Sequence, residues 1–100
     1  MDRDELLEAV RNYLDITFED KETDEKLKGI MERGMAYMDR VAGTSLDYGK
    51  EDMPRQLLLD YCRYARNNVV ELFGKNFEAD LVTLRNGVQA DDYARQQGYI

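Results

Sequence analysis

Histidine and tryptophan are absent from this 100-residue chain, and cysteine and proline occur once each. Without histidine there is no Ser-His or Cys-His dyad, no two-histidine zinc site and no Glu-x-x-His di-iron helix. Catalysis would have to rest on carboxylates, Lys, Tyr or the lone Cys62. A single cysteine cannot close an internal disulfide, so the thiol count does not call for an oxidising compartment. No apolar run approaches the roughly 20 residues that cross a bilayer. The opening Met1-Asp2-Arg3-Asp4-Glu5 is acidic where a secretory signal is basic and then apolar. The expectation is an intracellular protein with no membrane attachment. Basic runs are also lacking. Fourteen Lys and Arg stand against 21 Asp and Glu, a formal charge of −7, which suits a phosphate-gripping surface poorly.

What is present is helical periodicity, in a length that supports one modest core. Leu6, Leu7, Val10, Tyr13 and Leu14 share one side of a short helix predicted over residues 4–14, with acids in its first turn. Residues 15–22 break the period. Ile16 and Phe18 alternate there with polar neighbours, predicting an extended linker that tucks both inward. Thr23 or Asp24 then caps a second helix over residues 25–42, whose stripe runs through Leu27, Ile30, Met31, Gly34, Met38 and Val41. Gly43 sits where a left-handed C-terminal cap belongs. Gly34, within the stripe, predicts close approach by another helix. Gly29 faces outward and has no evident reason.

After a polar turn at residues 44–52, anchored by Leu46 and Tyr48, Asp52 or Met53 caps a third helix with Pro54 in its first turn. This helix is predicted to run to about Phe73. Its apolar side carries Leu57, Leu58, Tyr61, Cys62, Val69 and Leu72, and Leu59 and Val70 widen the arc beside Arg66. So broad an apolar girdle means that the helix is either central in its own fold or shared with another subunit. A last helix, capped by Asn76, carries Phe77, Leu81, Leu84 and Val88 and ends near Gly87. The fold class is therefore all-α: a small four-helix domain over residues 1–88, with a short helix, two long packed helices and a short C-terminal helix. Residues 89–100 show no period and are expected to be a flexible C-terminal tail that orders on a partner.

No catalytic, metal-binding or cofactor-binding residues are assigned. The carboxylates, densest over residues 15–25, lack the alternating ligands and central Gly of an EF-hand loop and read as solvated helix starts and linkers. Cys62 reads as a buried small hydrophobe. The interleaved Tyr61, Arg63, Tyr64 and Arg66 would be able to stack bases, but the net charge favours a core or interface helix. Asn68, on the apolar side, marks a specific contact. Leu59, Arg66, Val70 and, at the flank of the second helix, Met35 are the candidate subunit-interface residues.

The order of landmarks goes further. A first helix ends in Tyr13-Leu14-Asp15-Ile16 before an acidic linker, and a second ends in Tyr37-Met38-Asp39-Arg40-Val41-Ala42-Gly43-Thr44. Met53-Pro54-Arg55-Gln56-Leu57-Leu58-Leu59 then opens a long helix running through Tyr61, Tyr64 and Asn67-Asn68 to Glu71-Leu72-Phe73. Over about residues 4–74 this resembles the head–tail connector (adaptor) proteins of tailed bacteriophages and prophages, also labelled phage DNA-packaging proteins. The continuation from Asn76-Phe77 to Thr83-Leu84 is similar to the branch found in phages of Gram-positive hosts.

The resemblance implies a non-enzymatic ring, commonly of about twelve copies, beneath the portal protein. It would join the portal to stopper and tail-completion proteins and extend the channel, through which DNA passes without sequence-specific binding. Assembly would occur in the host cytoplasm, and the product would sit at the head–tail junction of the virion. The tail residues Asp91, Asp92, Tyr93, Arg95 and Tyr99 would then dock a partner. The rival reading is a small helical regulatory protein-binding module of a mobile element.

Overall fold

The computed structural model describes residues 2–98, all helical or irregular, with no strand among them. Helix α1 spans Arg3–Tyr13, α2 Lys21–Ala42, α3 Met53–Arg66, α4 Phe73–Asn76 and α5 Glu78–Gln96, with a 3-10 turn at Val70–Leu72 before α4. The all-α class is as the periodicity predicts. Three boundaries move, and the first is the end of α3, at Arg66 where about Phe73 is expected. The linker gives up its last residues to α2, which starts at Lys21 behind Asp20, and α5 runs through Gly87 and on to Gln96. Residues 89–96 are thus two more turns of helix where a tail is expected. Met1, Tyr99 and Ile100 lie outside the described residues.

Four helices stop on a residue in the left-handed region: Asp15 (φ 58°), Gly43 (φ 78°), Asn68 (φ 60°) and Gly98 (φ 78°). At the first three the chain closes a Schellman motif, in which the N–H just past the left-handed residue reaches back five positions. These bonds run from Ile16 N–H to the Arg11 carbonyl at 3.0 Å, from Thr44 N–H to Asp39 at 3.2 Å and from Val69 N–H to Tyr64 at 3.0 Å. At the other ends, the Asp2 carboxylate accepts from Glu5 N–H (2.8 Å) and the Asp52 carboxylate from Met53 N–H (2.8 Å).

The core is a sandwich of α2 and α3, closed at one side by α1 and at the other by α4 and the start of α5. Gly34 is the point of closest approach. A β-carbon there would lie 2.7 Å from Tyr61 Cδ1 and 2.8 Å from Leu58 Cδ1, so the missing side chain is the space those two occupy. Phe73, 1% exposed, is the hub of an aromatic cluster: it stacks on Phe77 (centroids 4.7 Å apart) and meets Tyr37, Tyr61 and Tyr64 edge-on. Ile16 is buried as expected, whereas Phe18 is exposed, because the linker leaves α1 through the Asp15 cap and turns back into α2 before Phe18 can reach the core.

Asp39 organises the loop after α2. Its carboxylate accepts from the Tyr48 hydroxyl (2.7 Å) and from Leu46 N–H (3.1 Å), and the same hydroxyl reaches the Met35 carbonyl at 3.1 Å. Burial, and then the Asp39 carboxylate, hold the Tyr48 phenol well above the ordinary tyrosine range. The phenol is therefore neutral when folded, while an unfolded one ionises above about pH 10. Stability from this residue is complete below that pH and is lost as the pH rises beyond it. Chemical denaturation between neutral and strongly alkaline pH is expected to show that decline, and Tyr48→Phe to flatten it. An equally steep decline in the variant would assign the effect elsewhere.

Candidate functional site

The residues proposed from sequence for a subunit contact separate in space. Leu59 is only 8% exposed and Met35 4%, and both belong to the protomer's own core. Neither is a surface residue, and the broad arc of α3 is largely consumed by packing within the chain, on both the α2 and the α1 sides. Arg66 is exposed and lines a depression of ≈ 240 Å³ with Tyr13, Asp15 and Arg63. Val70 is exposed, at 40%, but it is not on α3. On an uninterrupted helix it would sit only about 20° from Leu59. The left-handed cap at Asn68 ends α3 and throws Val70 out onto the 3-10 turn. Asn68 is exposed, so its role is that of a cap and not of a buried polar contact.

The 3-10 turn carries a second exposed apolar residue, Leu72 (44%). Val70 closes one end of a surface groove of ≈ 510 Å³ between the first half of α2 and the end of α3. Its apolar lining is Ile30, Ala65, Tyr61 and Val70, and Lys26 and Arg33 stand at its edge with Glu25. Gly29 forms part of the floor, and the Arg33 guanidinium lies so close over it that a β-carbon there would be 3.2 Å from Nη1. The outward-facing glycine thus acquires a structural setting: it leaves the groove open and lets the end of Arg33 approach the α2 backbone. Neither Lys26 nor Arg33 is in an ion pair among the described residues.

The distal half of α5 forms the other candidate surface. Asp91, Asp92 and Arg95 line a depression with Thr44, Asp47 and Val88, so the last turns of α5 rest beside the loop that follows α2. Tyr93 lies about 200° around the helix from Asp91 and is 60% exposed, on the same face as the exposed Val82. Tyr99 lies outside the described residues.

Sequence reasoning missed two carboxylates. Asp60 is buried on α3, where it accepts from the Tyr13 hydroxyl and from Gln56 Nε2 (3.3 Å) and pairs with Arg63 at 3.5 Å, tying α1 to α3. The Asp60 hydrogen bond raises the Tyr13 phenol, with burial adding to it. Its one signal was a place just off the edge of the apolar arc, about 60° beyond Leu57 on the side of Gln56. Asp39, on the polar side of α2, carried no such signal, because its partners come from a loop. Cys62 is fully buried, and burial alone pushes its thiol up to about 12, so at neutral pH it is a protonated core residue. No group of three or more Cys, Asp or Glu among the described residues is placed to hold a metal ion, and no helix is long and apolar enough to cross a membrane. Comparison of the chain with protein families, with curated proteins and with solved structures finds no match.

Proposed function

We propose that this protein is a non-enzymatic structural adaptor of a tailed phage or prophage, assembling as a ring under the portal protein and joining it to stopper or tail proteins. The observation that carries the reading is the landmark order over residues 13–73. In the fold those landmarks are the working parts of the helix pair: the Gly43 cap, the Asp52 cap with Pro54 behind it, and the Tyr61–Tyr64–Phe73 cluster. Two features of the surface support it. Apolar side chains remain exposed at separate places, Val70 and Leu72 on the turn and Val82 and Tyr93 on α5, as a ring requires two different patches on each copy. The formal charge of −7 also disfavours retention of DNA phosphates by a channel wall.

Electron microscopy of the protein mixed with its portal tests the reading: a ring of density below the portal is expected, and portals without added density overturn it. With Leu59 in the core and Val70 exposed on the turn, substitutions at the two positions are expected to act differently. Val70→Asp is expected to leave helicity and melting nearly unchanged and to abolish the ring. Leu59→Asp places a charge in the core and is expected to unfold the protomer, by several kcal/mol. A folded Leu59→Asp protein that fails to assemble would return the interface to α3.

A further inference from the structure

The groove beside α2 and the tip of α5 differ in shape and charge in complementary ways. The groove offers an apolar floor, a glycine that leaves it open, and at its edge two cations against one carboxylate, Lys26 and Arg33 beside Glu25, with neither cation in an ion pair among the described residues. The tip of α5 offers Tyr93, the most exposed large apolar side chain among the described residues, with Asp92 next to it in sequence and about 100° away on the helix. A tyrosine ring fits within ≈ 510 Å³ and would lie against the flat Arg33 guanidinium, with Asp92 within reach of Lys26. A chain cannot fill its own groove. The groove adjoins residues 25–33 of α2, whereas the α5 tip rests against residues 44–47, beyond the far end of that helix. From Ile30 to Ala42 alone the axial distance is about 18 Å.

We propose that the groove receives Tyr93 from a second copy of this chain. Tyr93 stacks on Arg33 above Gly29, between Ile30 and Val70, and Asp92 pairs with Lys26 at the rim. Donor and acceptor are different surfaces, so the contact is heterologous and propagates head to tail, into a ring if the rotation closes. It rests on the ring reading only in taking a second copy as the partner, and requires no portal.

The test uses the full chain alone, by sedimentation at low and moderate salt up to about 1 mM, where even weak specific contacts are half populated. Wild type is expected to form dimers and larger species, less so at higher salt. Tyr93→Ala, an exposed change, and Gly29→Leu, which fills the groove from a half-buried helix position outside the core, are each expected to weaken self-association about tenfold or more. Circular dichroism is expected to show both folded. Mixed together, the two variants retain one intact groove and one intact Tyr93 between them, and are expected to form a 1:1 dimer and nothing larger. A wild type that stays monomeric throughout, a Tyr93→Ala chain that associates like wild type, or a mixture that yields no dimer overturns the proposal. Restored pairing without any portal-bound ring would keep this contact and remove the adaptor reading. A portal-bound ring that tolerates both variants would do the reverse.

Discussion

Phe73→Ala is expected to remove about 3–5 kcal/mol of stability, a large share of the 5–15 kcal/mol or so that holds a domain together. Phe73 is the hub through which α2, α3 and the start of α5 meet, touching four other rings, and it is 1% exposed. An alanine there leaves a cavity that the rings of Tyr61 and Tyr64, fixed on α3, cannot collapse into. Phe73→Leu keeps most of the volume and is expected to cost less. Denaturant unfolding measures both. A loss under about 1 kcal/mol for the alanine would show that the α2–α3 pair stands without the cluster. Phe73 also directly follows the turn that carries Val70 and Leu72, so the alanine variant is expected to lose self-association ahead of global unfolding.

Gly34→Val is expected to be nearly as damaging, and by the opposite means. The new side chain must displace Tyr61 and Leu58, whose nearest carbons stand 2.7 and 2.8 Å from its first atom. Leu58 is fully buried and Tyr61 is held by the aromatic cluster, so neither gives way freely. Overpacking of this kind costs about 1–3 kcal/mol or more, against which valine gains only a few tenths in helix propensity over glycine. Gly29→Ala is the control. Its neighbour is the free end of Arg33 at 3.2 Å, and the change is expected to raise stability by roughly 0.5–1 kcal/mol. If thermal melting showed both glycines equally tolerant, α2 and α3 would not pack as closely as described.

Much of this fold is legible in the residues. The stripes of α1, α2 and α3, the Gly43 and Asp52 caps, the tucked Ile16 and the small residue at the helix crossing all follow from period and cap chemistry. The largest misreading, the length of α3, has a local cause. The left-handed residue that ends α3 is Asn68, not glycine, and it fits a helical register well enough for the pattern to run past it. Missing the stop at Asn68 merged α3 with the turn and put Val70 on the same face as Leu59. That merger created the excess apolar girdle, most of which the structure buries. The groove was illegible for a different reason: its walls come from residues some 40 positions apart, and its one local sign, an outward Gly29, points nowhere until Arg33 and Val70 are in place. The helical end of α5 was missed because its last two turns bury almost nothing, so no period marks them.

The stop at Asn68 has a further consequence. The direction in which the 3-10 turn leaves the helix pair is set by three residues, 67–69, joined to α3 through main-chain bonds to Arg63, Ala65 and Tyr64 and contributing nothing to the buried cluster. Changes in that elbow would re-aim Val70 and Leu72 while leaving the interior as it is. In an assembly built head to tail, such a hinge angle is what fixes curvature, so the circumference of a ring can drift between relatives without any repacking of the protomer.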